Sequence, residues 1–261
     1  MKLSLCLEML FPDRPFVDRL AIASRLGYRA IEFWDWRDKD IPAVADAVAQ
    51  HGLTVAAMSG NRRHGLIDPE SLAGLIDEME QVFAAARQLN CRHIMMLSDV
   101  LNDDGSAAPS KPLSAEEKGE SMAENLRMLA GHPQAAGFTL LLEPLNTALD
   151  HRGCFLNHSA PGVEIVRRVD SPRVKLLYDI YHMSMMNEDV LTEIDRNLDW
   201  IGYFHVADLP GRHQPGTGKV DYQAVNALLR RAKYEGFIGM EFSPLGPDEQ
   251  AAMTPLEVFN D

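Results

Sequence analysis

Strand-length apolar runs alternate with segments of helical spacing along the whole chain, and nothing else in the sequence limits the fold as strongly. The strand candidates are LSLCLEML, YRAIEFW, LTVAAM, RHIMML, FTLLLE, VKLLYD, WIGYFHV and FIGMEF, each followed by a helical segment. A helix-ending glycine introduces several of them, as in LGYRAIEF, HGLTV, AGFTLLLE and EGFIGMEF. Helix starts are marked as well. Pro15 stands at a first-turn position, Asp68-Pro69 opens a long helix, and Ser114-Ala115-Glu116-Glu117 has the form of a capping box. Unbroken alternation implies a parallel sheet, and eight units predict a closed (β/α)8 barrel built by residues 1–261 as a single domain. The rival is an open doubly wound sheet, but the first strand-to-helix turn, MLFPDRPF, lacks the glycine fingerprint of a dinucleotide site.

In such a barrel, functional residues gather at the C-terminal ends of the strands. FTLLLE delivers Glu143 to the mouth of its strand, followed by Pro144, which cannot continue a ladder, and the turn residue Asn146. VKLLYD ends in Asp179, WIGYFHV carries His205 near its end, and FIGMEF carries Glu241. Singly, a carboxylate after a strand is a helix cap and a lone histidine is a satisfied core residue. Together at one barrel mouth, three carboxylates repel one another unless a cation sits among them. Two glutamates, an aspartate and a histidine suit a divalent ion such as Mg, Mn or Zn. His182, three residues after Asp179, is placed by the same loop to face the cavity, and Arg212 in LPGRHQPGTG brings positive charge over the mouth. Phe11, Trp34, Trp36 and His64 lie near other strand ends and are read as packing residues.

Composition removes several alternatives. The formal net charge is −13, from 38 acidic against 25 basic side chains, so the overall field repels nucleic acid and anionic lipid. The N-terminal apolar run meets Glu8 and Asp13 too early for a secretory signal, and no run reaches membrane-spanning length; a soluble, cytoplasmic protein is the expectation. Cys6, Cys91 and Cys154 are odd in number and far apart, which speaks for buried thiols over a disulfide framework. GRHQPGTGK is not a Walker A loop, because Thr217 follows the second glycine where lysine is required. The Ser, Asp, Gly and Pro content of residues 98–113 marks a mobile loop of the kind that serves as a lid.

EPLN at 143–146, YDIYHM at 178–183, FHVADLPGRHQPGTGKVDY at 204–222 and GMEF at 239–242 resemble the hydroxypyruvate isomerase family, within the xylose isomerase-like TIM barrels that include the tagatose and psicose 3-epimerases. The likeness covers nearly the whole chain. It implies that Glu143, Asp179, His205 and Glu241 ligate the metal, that Glu143 and Glu241 double as acid/base residues, and that His182 and Arg212 contact substrate. There are departures. Phe242-Ser243-Pro244 after the last glutamate is nearer the epimerase style, and Leu149, with Asp150 next to it, stands where epimerases place an acid six positions after Glu143.

The activity implied is a metal-dependent aldose–ketose isomerisation of hydroxypyruvate or a related small α-hydroxy-carbonyl compound through an enediolate. A ketose 3-epimerase or a 2-oxo-tetronate isomerase would use the same site. The carboxylate of an oxo-acid would be met by Arg212, or by Arg62 and Arg63 after the third strand. An endonuclease IV-like phosphodiesterase wants more ligands and a basic face, and a non-catalytic sugar-binding barrel has no use for two opposed glutamates. The expected partner is a small sugar or oxo-acid; a homo-oligomer is left open.

Overall fold

Gly27, Gly52 and Gly137 take φ of 101°, 63° and 87° at the ends of their helices, a conformation in which glycine has no Cβ to clash, and each turns the chain toward a strand. The computed structural model describes residues 1–259, and these turns organise a regular alternation. β1 (Lys2–Cys6), α1 (Phe16–Arg25), β2 (Ala30–Phe33), α2 (Ile41–Gln50), β3 (Thr54–Ser59), α3 (Leu72–Gln88), β4 (His93–Leu97) and α4 (Ala115–Gly131) form the first half. The second half holds β5 (Thr139–Glu143), α5 (Ser159–Val169), β6 (Val174–Asp179), α6 (Ile180–Met185), α7 (Val190–Asn197), β7 (Ile201–Val206), α8 (Tyr222–Arg231), β8 (Phe237–Met240) and α9 (Asp248–Phe259). The strands pair in parallel and in sequence order, and β1 closes the barrel on β8. The predicted (β/α)8 barrel is therefore the fold observed.

Local chemistry follows the sequence closely. Ser114 and Glu117 form the capping box at the start of α4 with both reciprocal hydrogen bonds present. Asp68 caps a single 3-10 turn, Pro69–Ser71, before α3 begins. One helix was not anticipated: α6 starts directly after Asp179, whose side chain accepts the backbone N–H of His182 at 3.0 Å. Cys6, Cys91 and Cys154 are free and buried, and burial pushes the Cys91 and Cys154 thiols up to about 12. Among the described residues, no helix is long and apolar enough to cross a membrane.

Two apolar regions hold the layers together. The outer one packs strand residues such as Ile31, Phe33, Leu140, Leu142, Leu176 and Met240 against the helices. The inner one fills the barrel with Ala30, Met95, Leu141, Leu177 and Tyr203. Side chains two apart on a strand share a face. Leu141 and Glu143, Leu177 and Asp179, and Tyr203 and His205 are thus stacked pairs, apolar or aromatic below and ionisable above. Asp179 and His205 are direct register partners across β6 and β7, and His205 faces Gly239 on β8. Glu241 lies one residue beyond β8 but its N–H still donates to Val206 O, which keeps it in line.

Gly239 is required by a close approach. A Cβ there would collide with both carboxylate oxygens of Glu32, which fills the space beside it. Gly239→Ala is expected to destabilise the fold by about 1–3 kcal/mol, the usual range for forcing extra volume into a packed core; urea unfolding would measure it, and an unchanged midpoint would contradict the close approach.

Candidate active site

Glu143, Asp179, His205 and Glu241 each offer a ligand atom within 4.8 Å of all the others, and all four are buried. Strands five to eight thus bring together the four residues named from the sequence. His205 Nδ1 lies 3.4 Å from Glu143, 3.5 Å from Glu241 and 4.0 Å from Asp179, and among the described residues neither of its ring nitrogens has an aligned hydrogen-bond partner. A buried ring nitrogen aimed at three carboxylates is a poor hydrogen-bonding arrangement and a good coordination one, so these residues fit a divalent cation.

Two of the four face open space. A cavity of about 500 Å³ at the barrel mouth is lined by Glu143 and Glu241, with Trp34, Arg62, Asp150, His151 and Arg212 among its other walls. Asp179 and His205 lie beneath it. Trp34, read from sequence as packing, does more: its Nε1–H donates to Glu241 Oε1 at 2.7 Å, and Arg212 pairs with the other oxygen of the same carboxylate. Phe11 is indeed buried in the apolar core.

Arg212 is placed by an unusual backbone. It sits at φ 57°, directly after Gly211 at φ 96°, and its carbonyl accepts the N–H of Ser243 at 2.7 Å. Gln214 ties the same loop to both backbone groups of Leu245. The loops after β7 and β8 are thereby joined, which carries Arg212 to Glu241. The remaining glycine-rich stretch wraps around the buried Asp208, whose carboxylate accepts the N–H groups of Leu209, Gly216, Gly218 and Val220. Those donors are consumed internally, which explains physically why the stretch is no phosphate loop.

His182 lies beside the cluster and is 1% exposed, on the first turns of α6 where the sequence had placed a loop. Asn146 fixes its state. The Asn146 Oδ1 accepts N–H groups of Leu149 and Asp150, so its Nδ2 must donate, to Asp150 and at 2.6 Å to His182 Nδ1. His182 is then neutral with its proton on Nε2, 3.5 Å from Asp179. Burial, reinforced by Arg212, keeps it well below the ordinary histidine value. His151 covers its ring edge-on at 5.1 Å and donates to Gly105 O. That bond pins residues 101–107 of the 98–113 segment, a tight turn closed by an isolated bridge between Leu101 and Ala107, against the cavity. Of the two basic residues after β3, Arg62 lines the cavity.

Three contributors escaped the sequence reading. Asp150, the acid beside exposed Leu149, faces the cavity and also accepts from Tyr181. His151 follows it. Glu32 is buried against the far nitrogen of His205, 3.1 Å away. Its signal was available: in AIEF it is the lone acid of an apolar strand, as Glu143 at the end of TLLLE is of its own.

Electrostatics separate the two glutamates. Burial pushes the Glu143 carboxyl up to about 7 against the opposing pull of His205. Burial acts the same way on Glu241, but Arg212, His205 and the Trp34 N–H outweigh it and hold that carboxyl down at about 2. For His205, burial is overcome by Glu241 and Glu32, and the imidazole rises well above its ordinary value.

The sequence profile of the family described as "Xylose isomerase-like TIM barrel" matches residues 20–261. The chain belongs to that family. Among its relatives in the family, the 2-oxo-tetronate isomerase of Cupriavidus necator is 28% identical over 248 residues, covering 91% of each chain. The hydroxypyruvate isomerase of Escherichia coli is 27% identical over 251 residues, covering 94% of each. The crystal structure titled AP endonuclease, family 2, from Brucella melitensis superimposes with a TM-score of 0.88 at 25% identity, covering 100% of this chain and 99% of that one. Kinship with the first two places the chain among isomerases.

The charge cluster has a measurable consequence in cation-free protein. Above about pH 6.5 unfolded histidines are neutral, so His182, His151 and His93, all depressed in the fold, no longer influence stability. His205, raised in the fold, contributes stability that is fully present below about pH 6.5 and is lost as pH climbs through its folded value. Glu143 has the same sign up to about 7, because its raised carboxyl holds a proton that the unfolded chain has already released. The melting temperature of EDTA-treated protein should therefore fall between about pH 6.5 and 8.5, and Mn2+ should reverse the fall. Scanning calorimetry that finds a flat or rising profile would contradict this electrostatic picture.

Proposed function

We propose that the protein is a divalent-metal-dependent aldose–ketose isomerase for hydroxypyruvate or a closely related small α-hydroxy-carbonyl acid. The observation that carries this reading is the division within the four-residue cluster: Glu143 and Glu241 line the cavity, while Asp179 and His205 lie below it. A site that only bound a cation would have no need to turn two carboxylates toward a ligand. Glu143, Asp179, His205 and Glu241 would hold the ion. When bound, it supplies positive charge beside the substrate carbonyl, opposing the negative charge that develops as a C–H proton leaves.

The remaining work falls to the chain's own side chains. One glutamate takes the proton from the hydroxyl-bearing carbon, and the same or the other glutamate returns a proton to the former carbonyl carbon. Glu241 is oriented by two donors, Trp34 and Arg212, whereas among the described residues Glu143 has no such clamp. Arg212 lines the cavity and carries its guanidinium charge beside Glu241, where it can meet a substrate oxygen. His182 holds its Nε2–H beside Asp179 at the edge of the site. Leu97, Leu145 and Met95 exclude water from one wall of the cavity. The two relatives, named for hydroxypyruvate and 2-oxo-tetronate, favour an oxo-acid over a neutral ketohexose.

The endonuclease title of the Brucella structure raises phosphodiester cleavage as a second reading. Net charge of −13 and the additional acids Asp103, Asp104 and Asp150 around the cavity oppose a polyanionic substrate.

Proton NMR of metal-loaded protein with hydroxypyruvate in D2O should show deuterium entry and tartronate semialdehyde, and neither after EDTA treatment. Glu143→Gln and Glu241→Gln should each lower turnover by at least about 100-fold, the lower end of what acid/base groups contribute. Wild-type turnover in either variant would remove that residue from the chemistry. With a ketohexose or an oxo-tetronate in place of hydroxypyruvate, deuterium entry at C3 without aldose formation would mean epimerisation. Arg212→Ala should raise KM for hydroxypyruvate by at least about tenfold, the equivalent of one charge-assisted hydrogen bond; an unchanged KM counts against the substrate contact.

A further inference from the structure

One ionisable group in the barrel takes no part in the reading above. Glu32 on β2 is 1% exposed and lies inside the barrel beneath the cavity, on the opposite edge of the His205 ring from the three carboxylates. Its Oε1 is 3.1 Å from His205 Nε2, while Nδ1 of the same ring faces Glu143 and Glu241. Tyr203, two residues earlier on the same inward face of β7, donates its hydroxyl to Glu32 Oε2. Gly239 completes the pocket, since any side chain at that position would occupy the carboxylate's space. Three strands therefore contribute to seating one carboxylate against one imidazole nitrogen. An unpaired buried carboxylate is costly; Tyr203 holds Oε2, while Oε1 and His205 Nε2 stand 3.1 Å apart, within reach of each other and with no other aligned hydrogen-bond partner among the described residues.

We propose that Glu32 is a positioning residue for the metal centre: it accepts the Nε2–H of His205, fixing the tautomer in which the Nδ1 lone pair points at Glu143, Asp179 and Glu241. This rests on the reading that those four residues hold a divalent cation. A neutral imidazole carries its proton on one nitrogen and a lone pair on the other, and the partner of the first decides which is free to coordinate. Among the described residues Glu32 is the carboxylate that lies against that edge of the ring; without it the tautomer with Nδ1 protonated, which cannot coordinate from Nδ1, becomes populated. Glu32 also raises the basicity of the ring as a ligand, which a neutral acceptor does only weakly. Tyr203 acts one step further out by holding the second carboxylate oxygen, which keeps the first beside Nε2.

Calorimetric titration of the full-length, EDTA-stripped protein with Mn2+ tests this directly. Glu32→Ala is expected to weaken Mn2+ binding by about 10- to 100-fold, the effect typical of removing the partner of a ligating histidine, with an unchanged circular dichroism spectrum. Glu32→Gln keeps an acceptor oxygen and should fall between Glu32→Ala and wild type. Selective 15N labelling of histidine in the Zn2+-loaded protein gives a readout that packing alone would not move: His205 should show a protonated Nε2 and a coordinated Nδ1. A folded Glu32→Ala protein with wild-type Mn2+ affinity overturns the proposal while leaving the cation site intact. Should that variant not fold, the 15N pattern of the wild type decides, and a protonated Nδ1 overturns it. Wild-type protein that binds no Mn2+ removes the cation reading, and this proposal with it.

Discussion

Three buried carboxylates within 4.8 Å of one another and of a histidine form the constraint on which the rest of the molecule depends. Such a group cannot be buried uncompensated, because desolvation and mutual repulsion both disfavour the ionised state. The surroundings supply compensation from several sides. Arg212 and the Trp34 N–H take Glu241, the backbone N–H of His182 takes Asp179, and His205 stands among all three. Glu143 is left with the least support, and its carboxyl is the one that burial lifts to about 7. A cation among these groups would resolve the remaining imbalance: three carboxylates, a neutral imidazole and a dication sum to −1.

The loops are organised by the same requirement. Asp208 gathers four backbone N–H groups and so gives the glycine-rich stretch after β7 a rigid centre, from which Arg212 projects with a left-handed backbone. Left-handed φ at a non-glycine residue is uncommon and tends to persist where surrounding contacts over-determine it. Here the bonds to Ser243 and Leu245 are those contacts. On the other side, Asn146 sets the proton position on His182 and the conformation of the turn that presents Asp150. Loops of low sequence complexity thus form a cavity wall of defined chemistry.

Isomerase and epimerase chemistry share a proton abstraction and diverge only in where the proton returns, so a cluster of this kind does not by itself name the product. The departures in sequence bear on the walls. Leu149 points to solvent, and Asp150, one residue later, supplies the acid that faces the cavity. The turn that presents Asp150 is held by Asn146, whose Oδ1 accepts the N–H groups of Leu149 and Asp150.

What the sequence by itself determined is the barrel and the four residues at the ends of strands five to eight. Both come from short-range rules: apolar periodicity, glycine stops and capping residues define each unit, and a strand ending in an acid states its side chain's position relative to the sheet. The closed order of the strands then makes convergence a matter of geometry. Tertiary structure decided everything that depends on residues far apart in the chain meeting at a set distance. Glu32 shares its sequence signal with Glu143, yet only the packing of β2, β7 and β8 shows that it addresses the back of His205 and not the cavity. Trp34 reads as an aromatic wall until its N–H is found on Glu241 across the barrel. His182 reads as a loop residue because one turn of helix after a strand has no periodicity to detect. Spacing along a chain encodes which face a side chain takes; partner, distance and proton position are set only when the barrel closes.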